Sequence, residues 1–204
     1  MEKIDLYKRH KQDYIAPNKP SEVDVASADY LTIQGQGAPG GKNFENAVSA
    51  LYAVAYTVKM TRKKHGLGDY VICKLEARYW SETGQSVNEL PQSQWHWQLM
   101  IRTPAQVQQS DVKQAITVLL AKGKTATIAN VKLIDYEFGQ CVQMLHLGPY
   151  EEEGRTIDEM TSYAKAKKLA IKACHSEVYL SDPRRIPANR LKTIIRLFVD
   201  KEIT

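Results

Sequence analysis

Tyr30-Leu31-Thr32-Ile33-Gln34-Gly35-Gln36-Gly37-Ala38-Pro39-Gly40-Gly41 reads as a β-prone run closed by glycine punctuation, and the rest of the chain falls into place around it. A long helix is expected to follow from about Asn43, because Phe44, Ala47, Val48, Leu51, Ala55 and Val58 recur at three- and four-residue spacing and form one apolar stripe. His65-Gly66-Leu67-Gly68-Asp69 marks its end. Two β-rich runs come next, Tyr70 to Trp80 and Gln94 to Ile101, joined by a polar connection that contains Gly84 and Pro91. A second helix is predicted over about Ala105 to Lys122, with Val107, Val112, Ile116 and Leu119 or Leu120 inward and Gly123 as its stop.

The same order then returns. Val131 to Leu147 is strand-rich and turns or continues near Gly139, and Gly148-Pro149-Tyr150 closes it. A helix over about Thr156 to Ala170, a short strand over Ser176 to Leu180 and a final strand over Leu191 to Val199 complete the pattern. Each half reads strand, glycine turn, long helix, strand, strand. The expected fold class is α+β: a tandem repeat of two β-α-β-β modules, about 29–123 and about 130–204, forming a curved antiparallel sheet with two long helices and a central ligand cleft. Residues 1–28, polar and carrying Pro17 and Pro20, read as an extended lead-in to the domain at 29–204.

Composition bounds the function. The 204 residues carry 28 basic and 23 acidic side chains, a formal charge of +5, and a hydrophobic fraction of 43%, enough for a sizeable core and against global disorder. No apolar run approaches the roughly 18 residues that span a bilayer, and Met1-Glu2-Lys3-Ile4-Asp5 does not open a signal peptide, so the expectation is a cytoplasmic protein without a membrane partner. Three widely spaced cysteines (Cys73, Cys141, Cys174) and five histidines without helical ligand spacing give no disulfide framework and no metal site; neither metal nor cofactor is expected. The basic clusters at Lys8-Arg9-His10-Lys11, Arg62-Lys63-Lys64 and Lys165-Ala166-Lys167-Lys168 sit at a terminus or near helix ends and lack a recognition-helix or RNP-type motif, so nucleic acid is not the expected partner. The oligomeric state is open.

Gly35-Gln36-Gly37-Ala38-Pro39-Gly40 matches the G-x-G-x-x-G spacing of dinucleotide sites. No acidic residue lies within Ala55 to Lys64 to meet a ribose, and Pro39 removes an amide donor, so a tight strand-to-helix turn is the better account. Glu76, in Leu75-Glu76-Ala77-Arg78-Tyr79-Trp80, and Glu177, in His175-Ser176-Glu177-Val178-Tyr179-Leu180, hold corresponding places in the two halves. Strand alternation puts Glu76, Arg78 and Trp80 on one face, Glu177 with Tyr179 on one face, and Trp95 with Trp97 on one face. A carboxylate among aromatics attracts a cationic ligand or serves as a general base, although periodicity alone fits a solvent-facing polar stripe more simply. Glu151-Glu152-Glu153 reads as acidic charge at a helix amino end.

Several of these strings together resemble the GyrI-like small-molecule-binding family: His146-Leu147-Gly148-Pro149-Tyr150-Glu151, Glu177-Val178-Tyr179-Leu180-Ser181-Asp182-Pro183-Arg184-Arg185, Tyr70 to Trp80, and Trp95 to Ile101. Tyr30 to Gly40 and Leu51 to Tyr56 are similar to its stand-alone branch. The resemblance implies a tandem β-α-β-β fold with a ligand cleft between its halves. It implies a hydrophobic, aromatic or cationic small molecule as partner, with Glu177 at the family's acidic position, and a detoxifying role that extends in some relatives to hydrolysis of cyclopropane-bearing electrophiles. On that basis Glu177, Tyr150 and Glu76 are the candidate catalytic residues, and Trp80, Trp97, Tyr179, Tyr79 and Trp95 the candidate ligand-binding residues. Arg78, in Leu75-Glu76-Ala77-Arg78, departs from the branch and is expected either to alter ligand preference or to neutralise Glu76. The alternatives are a non-catalytic drug-binding or signalling module and a gyrase- or DNA-associated protein.

Overall fold

The computed structural model describes residues 3–201. A one-turn helix α1 (Leu6–Arg9) and strand β1 (Ser21–Val25) precede the first half, which comprises β2 (Ala28–Gln36), α2 (Lys42–Lys64), β3 (Leu75–Trp80) and β4 (His96–Arg102). Helix α3 (Gln109–Ala121) and strand β5 (Lys132–Tyr136) lead into the second half, β6 (Gly139–Leu147), α4 (Glu153–Ala166), β7 (Leu169–Tyr179) and β8 (Lys192–Lys201). The eight strands of the described residues form one antiparallel sheet in the order β1-β6-β8-β7-β3-β4-β2-β5.

That order carries a pseudo-two-fold. From the central β3–β7 pair outward, one half runs β3-β4-β2 and the other β7-β8-β6. The strand that leads into each half crosses to the edge of the other: β1 pairs with β6, and β5 pairs with β2. Residues 1–28, expected as an extended lead-in, therefore contain a helical turn and an edge strand that completes the second half. The strand expected from Tyr70 begins only at Leu75, with Tyr70 in an isolated bridge to Ile4. The short strand expected from Ser176 starts at Leu169 and takes a register irregularity between Ile171 and His175.

The helices cover one face. The stripe on α2 packs Ala47, Leu51, Val54, Ala55 and Val58 against Leu31, Ile33, Leu99 and Ile101, and Ile157, Met160 and Ala164 of α4 pack on Val142, Met144, Ile195 and Leu197. Leu119, not Leu120, is the inward residue of its pair on α3. Burial of these aliphatic faces, at roughly 25 cal/mol per Å² of apolar area, is the term that drives the layers together. At the amino end of α2, the Trp97 ring lies directly over Gly35: a Cβ there would fall 2.2 Å from the indole Cη2. Gly35 serves that close approach, and Gly37 the positive-φ turn that follows it (φ +113°). The opposite face is covered by the amino-terminal segment, with Tyr14 buried against it, and by the cluster of Tyr30, Met100, Phe138, Cys141 and Phe198. Among the described residues no helix is long and apolar enough to cross a membrane.

Candidate functional site

Residues directly opposite one another in a sheet share a face, so strand register decides which candidates meet. Across the central pair Glu177 lies opposite Ala77, and His175 opposite Tyr79; Tyr79 in turn lies opposite Trp97, and Tyr179 opposite Thr193. Glu177, His175, Tyr179, Tyr79, Trp97 and Thr193 therefore project from the helix-covered face, at the line where the two halves join.

Their contacts form a chain. Tyr179 Oη donates to Glu177 Oε2 at 2.7 Å, and Tyr79 Oη lies 2.6 Å from Tyr179 Oη. With the Tyr179 proton committed to the carboxylate, Tyr79 is the donor in that second bond. His175 Nε2 meets the other carboxylate oxygen, Oε1, at 3.0 Å. Glu177 is 5% exposed and Tyr79 1% exposed. Burial, followed by the Glu177 charge, holds both the Tyr79 and Tyr179 hydroxyls well above the usual phenol range, so at neutral pH they act as donors.

Aromatic rings surround this chain. Tyr79 meets Trp95 edge-on with centroids 5.7 Å apart and lies 5.3 Å from the His175 ring, while Tyr150 meets Tyr179 edge-on at 5.7 Å. Trp97 packs edge-on against Phe44 of α2 at 5.3 Å, and its indole nitrogen is buried without a partner. Tyr150, Tyr179 and Trp95 are half-buried and mark where the cluster reaches solvent. Tyr150 owes its position to the Gly148-Pro149 turn, which buried His146 fixes. His146 Nε2 lies 3.1 Å from the Pro149 carbonyl, which can only accept, so Nδ1 is the acceptor for Thr156 Oγ1 at 2.9 Å. Burial and the charges of Glu153 and Glu177 push the Tyr150 hydroxyl up to about 12.

Two participants did not emerge from the sequence. Glu151 and Glu152 are exposed as expected of charges at a helix start, but Glu153, the first residue of α4, turns inward and is 8% exposed. Burial and the adjacent Glu177 carboxylate drive the Glu153 carboxyl far above the normal range, so it holds a proton at neutral pH. Its Oε1 and the neighbouring Thr193 Oγ1 are buried without hydrogen-bond partners. His175 was legible in principle, since His175-x-Glu177-x-Tyr179 places three polar groups at strand alternation.

Two predicted residues lie elsewhere. Glu76 is opposite Val178, not Glu177, and so projects from the other face of the sheet, together with Trp80, which is opposite Cys174. Glu76 is 2% exposed beneath the amino-terminal segment, with Tyr14 Oη 3.5 Å from its Oε1; burial raises its carboxyl to about 7. Neither glutamate is part of a solvent-facing stripe. Nor does Arg78 neutralise Glu76: its guanidinium contacts Gln98 Oε1 at 3.2 Å and Cys174 Sγ at 3.3 Å. Among the described residues no group of three or more His, Cys, Asp or Glu is placed to hold a metal ion.

The seam is an acidic pair, Glu177 beside a Glu153 that holds a proton, bonded by tyrosine hydroxyls and walled by rings. Such a site can orient a flat ligand, attract positive charge, accept a proton at Glu177 and donate one from Glu153 or Tyr150. No curated protein matches the chain. Among solved structures it is similar to an uncharacterized conserved protein from Listeria innocua, at 35% identity over 97% of this chain and 100% of that one, with a TM-score of 0.89. It is also similar to a hydrolase from Listeria innocua, at 35% identity over 98% of this chain and 100% of that one, with a TM-score of 0.86. The C-terminal domain of EcmrR shares the fold at 7% identity, with a TM-score of 0.58 over 90% of this chain and 98% of that domain. Residues 18–199 match the GyrI-like small molecule binding domain, and the chain belongs to that family.

Proposed function

We propose that the seam between the two halves binds flat hydrophobic or cationic small molecules and adds water to those that carry a strained electrophilic ring, cyclopropane-bearing alkylators being the substrate class. The observation that carries this reading is the pairing of Glu177, bonded to Tyr179 and His175, with protonated Glu153 inside an aromatic enclosure. A carboxylate bonded by two neighbours and lying beside a carboxyl group that keeps its proton is suited to paired base and acid roles. The hydrolase among the similar structures supports a hydrolytic chemistry.

In the reaction, Glu177 takes a proton from water as the water oxygen bonds to a cyclopropane carbon. The ring C–C bond breaks, and its electron pair flows onto the oxygen of the conjugated carbonyl. That oxygen is protonated by Glu153 or, at the mouth, by Tyr150. The net change is addition of one water, and return of the proton from Glu177 to the group that protonated the carbonyl oxygen, Glu153 or Tyr150, restores the site. His175, Tyr79 and Tyr179 position the Glu177 carboxylate.

The test is incubation with a cyclopropane-bearing alkylator, with product mass and bound compound both measured. Water addition above the buffer rate is expected, falling roughly 100-fold or more in Glu177→Gln while binding persists. Unchanged turnover in Glu177→Gln rejects the base assignment. Tight binding without turnover in the unaltered protein supports the alternative, a sequestering module, which full engagement of the Glu177 carboxylate by two donors also favours.

A further inference from the structure

We infer that the chain has a second small-molecule site, on the sheet face opposite the seam, that takes a planar carboxylate and anchors it on Arg78. A hollow of about 350 Å³ opens there, lined by Gln34, Arg78, Trp80, Ser81, Ala173 and Cys174, which places it within the size range of ligand sites. Gln34, Gln98 and Arg78 lie side by side across β2, β4 and β3, so strand register supplies two amides beside one guanidinium.

Arg78 is an unpaired cation. Among the described residues no carboxylate lies within ion-pair distance of it, and its polar partners are the Gln98 amide oxygen and the Cys174 sulfur. Its Nε–H is buried with no partner. Nε and Nη2 lie on one edge of a guanidinium, the edge that meets a carboxylate with two parallel bonds. Here that edge holds only a thiol, a weak acceptor that an anion readily displaces. Meanwhile the guanidinium plane is fixed by rings: its Cζ is 4.4 Å from the Tyr136 centroid, 5.6 Å from Phe198 and 5.9 Å from Trp80. Holding a cation in place without a counter-charge costs free energy that an arriving anion recovers.

The walls select the rest of the ligand. Among the described residues Arg78 is the one charged group lining the hollow, and beside it the Trp80 ring offers an apolar surface. Trp80 is itself stacked on His96 at 5.9 Å, so the ring has a backing. One fork and one ring face suit an aryl carboxylate, whereas a phosphate monoester brings about two charges at neutral pH and would meet one.

The probe is 1-naphthoate, with neutral 1-naphthamide as its comparison, titrated calorimetrically into the full chain. Binding of the acid is expected to be at least about tenfold tighter than that of the amide, and to weaken about tenfold or more in both Arg78→Gln and Arg78→Lys, because lysine keeps the charge and loses the fork. Glu177→Gln should leave it unchanged, which separates this site from the seam and keeps failure of one reading distinct from failure of the other. A second measurement needs no variant. Cys73 and Cys141 are buried and Cys174 is half-buried, so alkylation of Cys174 by iodoacetamide, located by peptide mass, should slow several-fold when 1-naphthoate is present. Equal affinity for acid and amide, loss of binding in Glu177→Gln, or unchanged Cys174 labelling under saturating 1-naphthoate overturns the site.

Discussion

Glu76 and Glu177 illustrate how far a single side chain's setting departs from its residue type. Glu177 has two donors on its carboxylate; Glu76 has one long contact, to Tyr14, beneath a covering segment. Burial is the largest influence on Glu76 and lifts its carboxyl from 4.5 to about 7, against the opposing pull of Arg196 and Arg102. The consequence for stability follows from linkage. Below about pH 4.5 the group is protonated in native and unfolded chains alike. As pH climbs, the unfolded chain releases that proton first, so the native state loses stability until about pH 7 and no further above it. A rise from 4.5 to about 7 amounts to about 3 kcal/mol. Glu76→Gln should therefore match the parent in denaturant unfolding near pH 4 and exceed it by up to about that amount near pH 8. Parallel pH profiles for the two proteins would show that Glu76 ionises in the native state without cost.

At the scale of elements, register parity was the information the sequence lacked. Alternation along one strand is local, so the sharing of a face by Glu177 and Tyr179, and by Glu76, Arg78 and Trp80, was readable from the residues alone. Whether the two glutamates share a face depends on how β3 and β7 align, and a shift of one residue exchanges the faces. Glu76 faces Val178 across the pair, one position short of the alignment that would have joined it to Glu177. Glu153 was hidden for a related reason: three consecutive glutamates at a helix start all satisfy the dipole, and only packing of α4 on the sheet turns one of them inward. The strand and helix order, by contrast, was legible because the apolar spacing on α2 and the turn residues are strong local signals. Gly35 is where local and long-range demands meet. Adding a methyl group there drives it into Trp97, backbone-fixed on one side and packed on Phe44 on the other. Gly35→Ala should lose about 1–3 kcal/mol in denaturant unfolding and alter the near-ultraviolet circular dichroism of the tryptophans. An unchanged midpoint and spectrum would mean that the indole has room to move.

The whole molecule is held together by an exchange. Neither half closes its own sheet: β1 precedes the first half yet borders β6 of the second, and β5 precedes the second yet borders β2 of the first. The seam thus lies between two units that each hold an edge strand of the other, which resists their separation when a ligand enters between them. The amino-terminal segment does more than cap an edge. Asp13 receives Arg102 through its carboxylate at 2.6 Å and Arg196 through its carbonyl, the Ile15 carbonyl accepts from Gln143 at 3.4 Å, and buried Tyr14 lies over Glu76. Removing residues 1–26 would strip Arg196 and Glu76 of cover and free the edge of β6, whose unpaired backbone groups then template pairing with another chain. The expected outcome has two parts. Loss of Tyr14 alone is worth about 3–5 kcal/mol, so the truncated chain should melt at least about 6 °C below the full one. Sedimentation should also show concentration-dependent association beyond any that the full chain shows over the same range. Equal melting temperatures and equal sedimentation would mean that β1 and the segment before it are dispensable, and that the second half closes without the strand it borrows from the first.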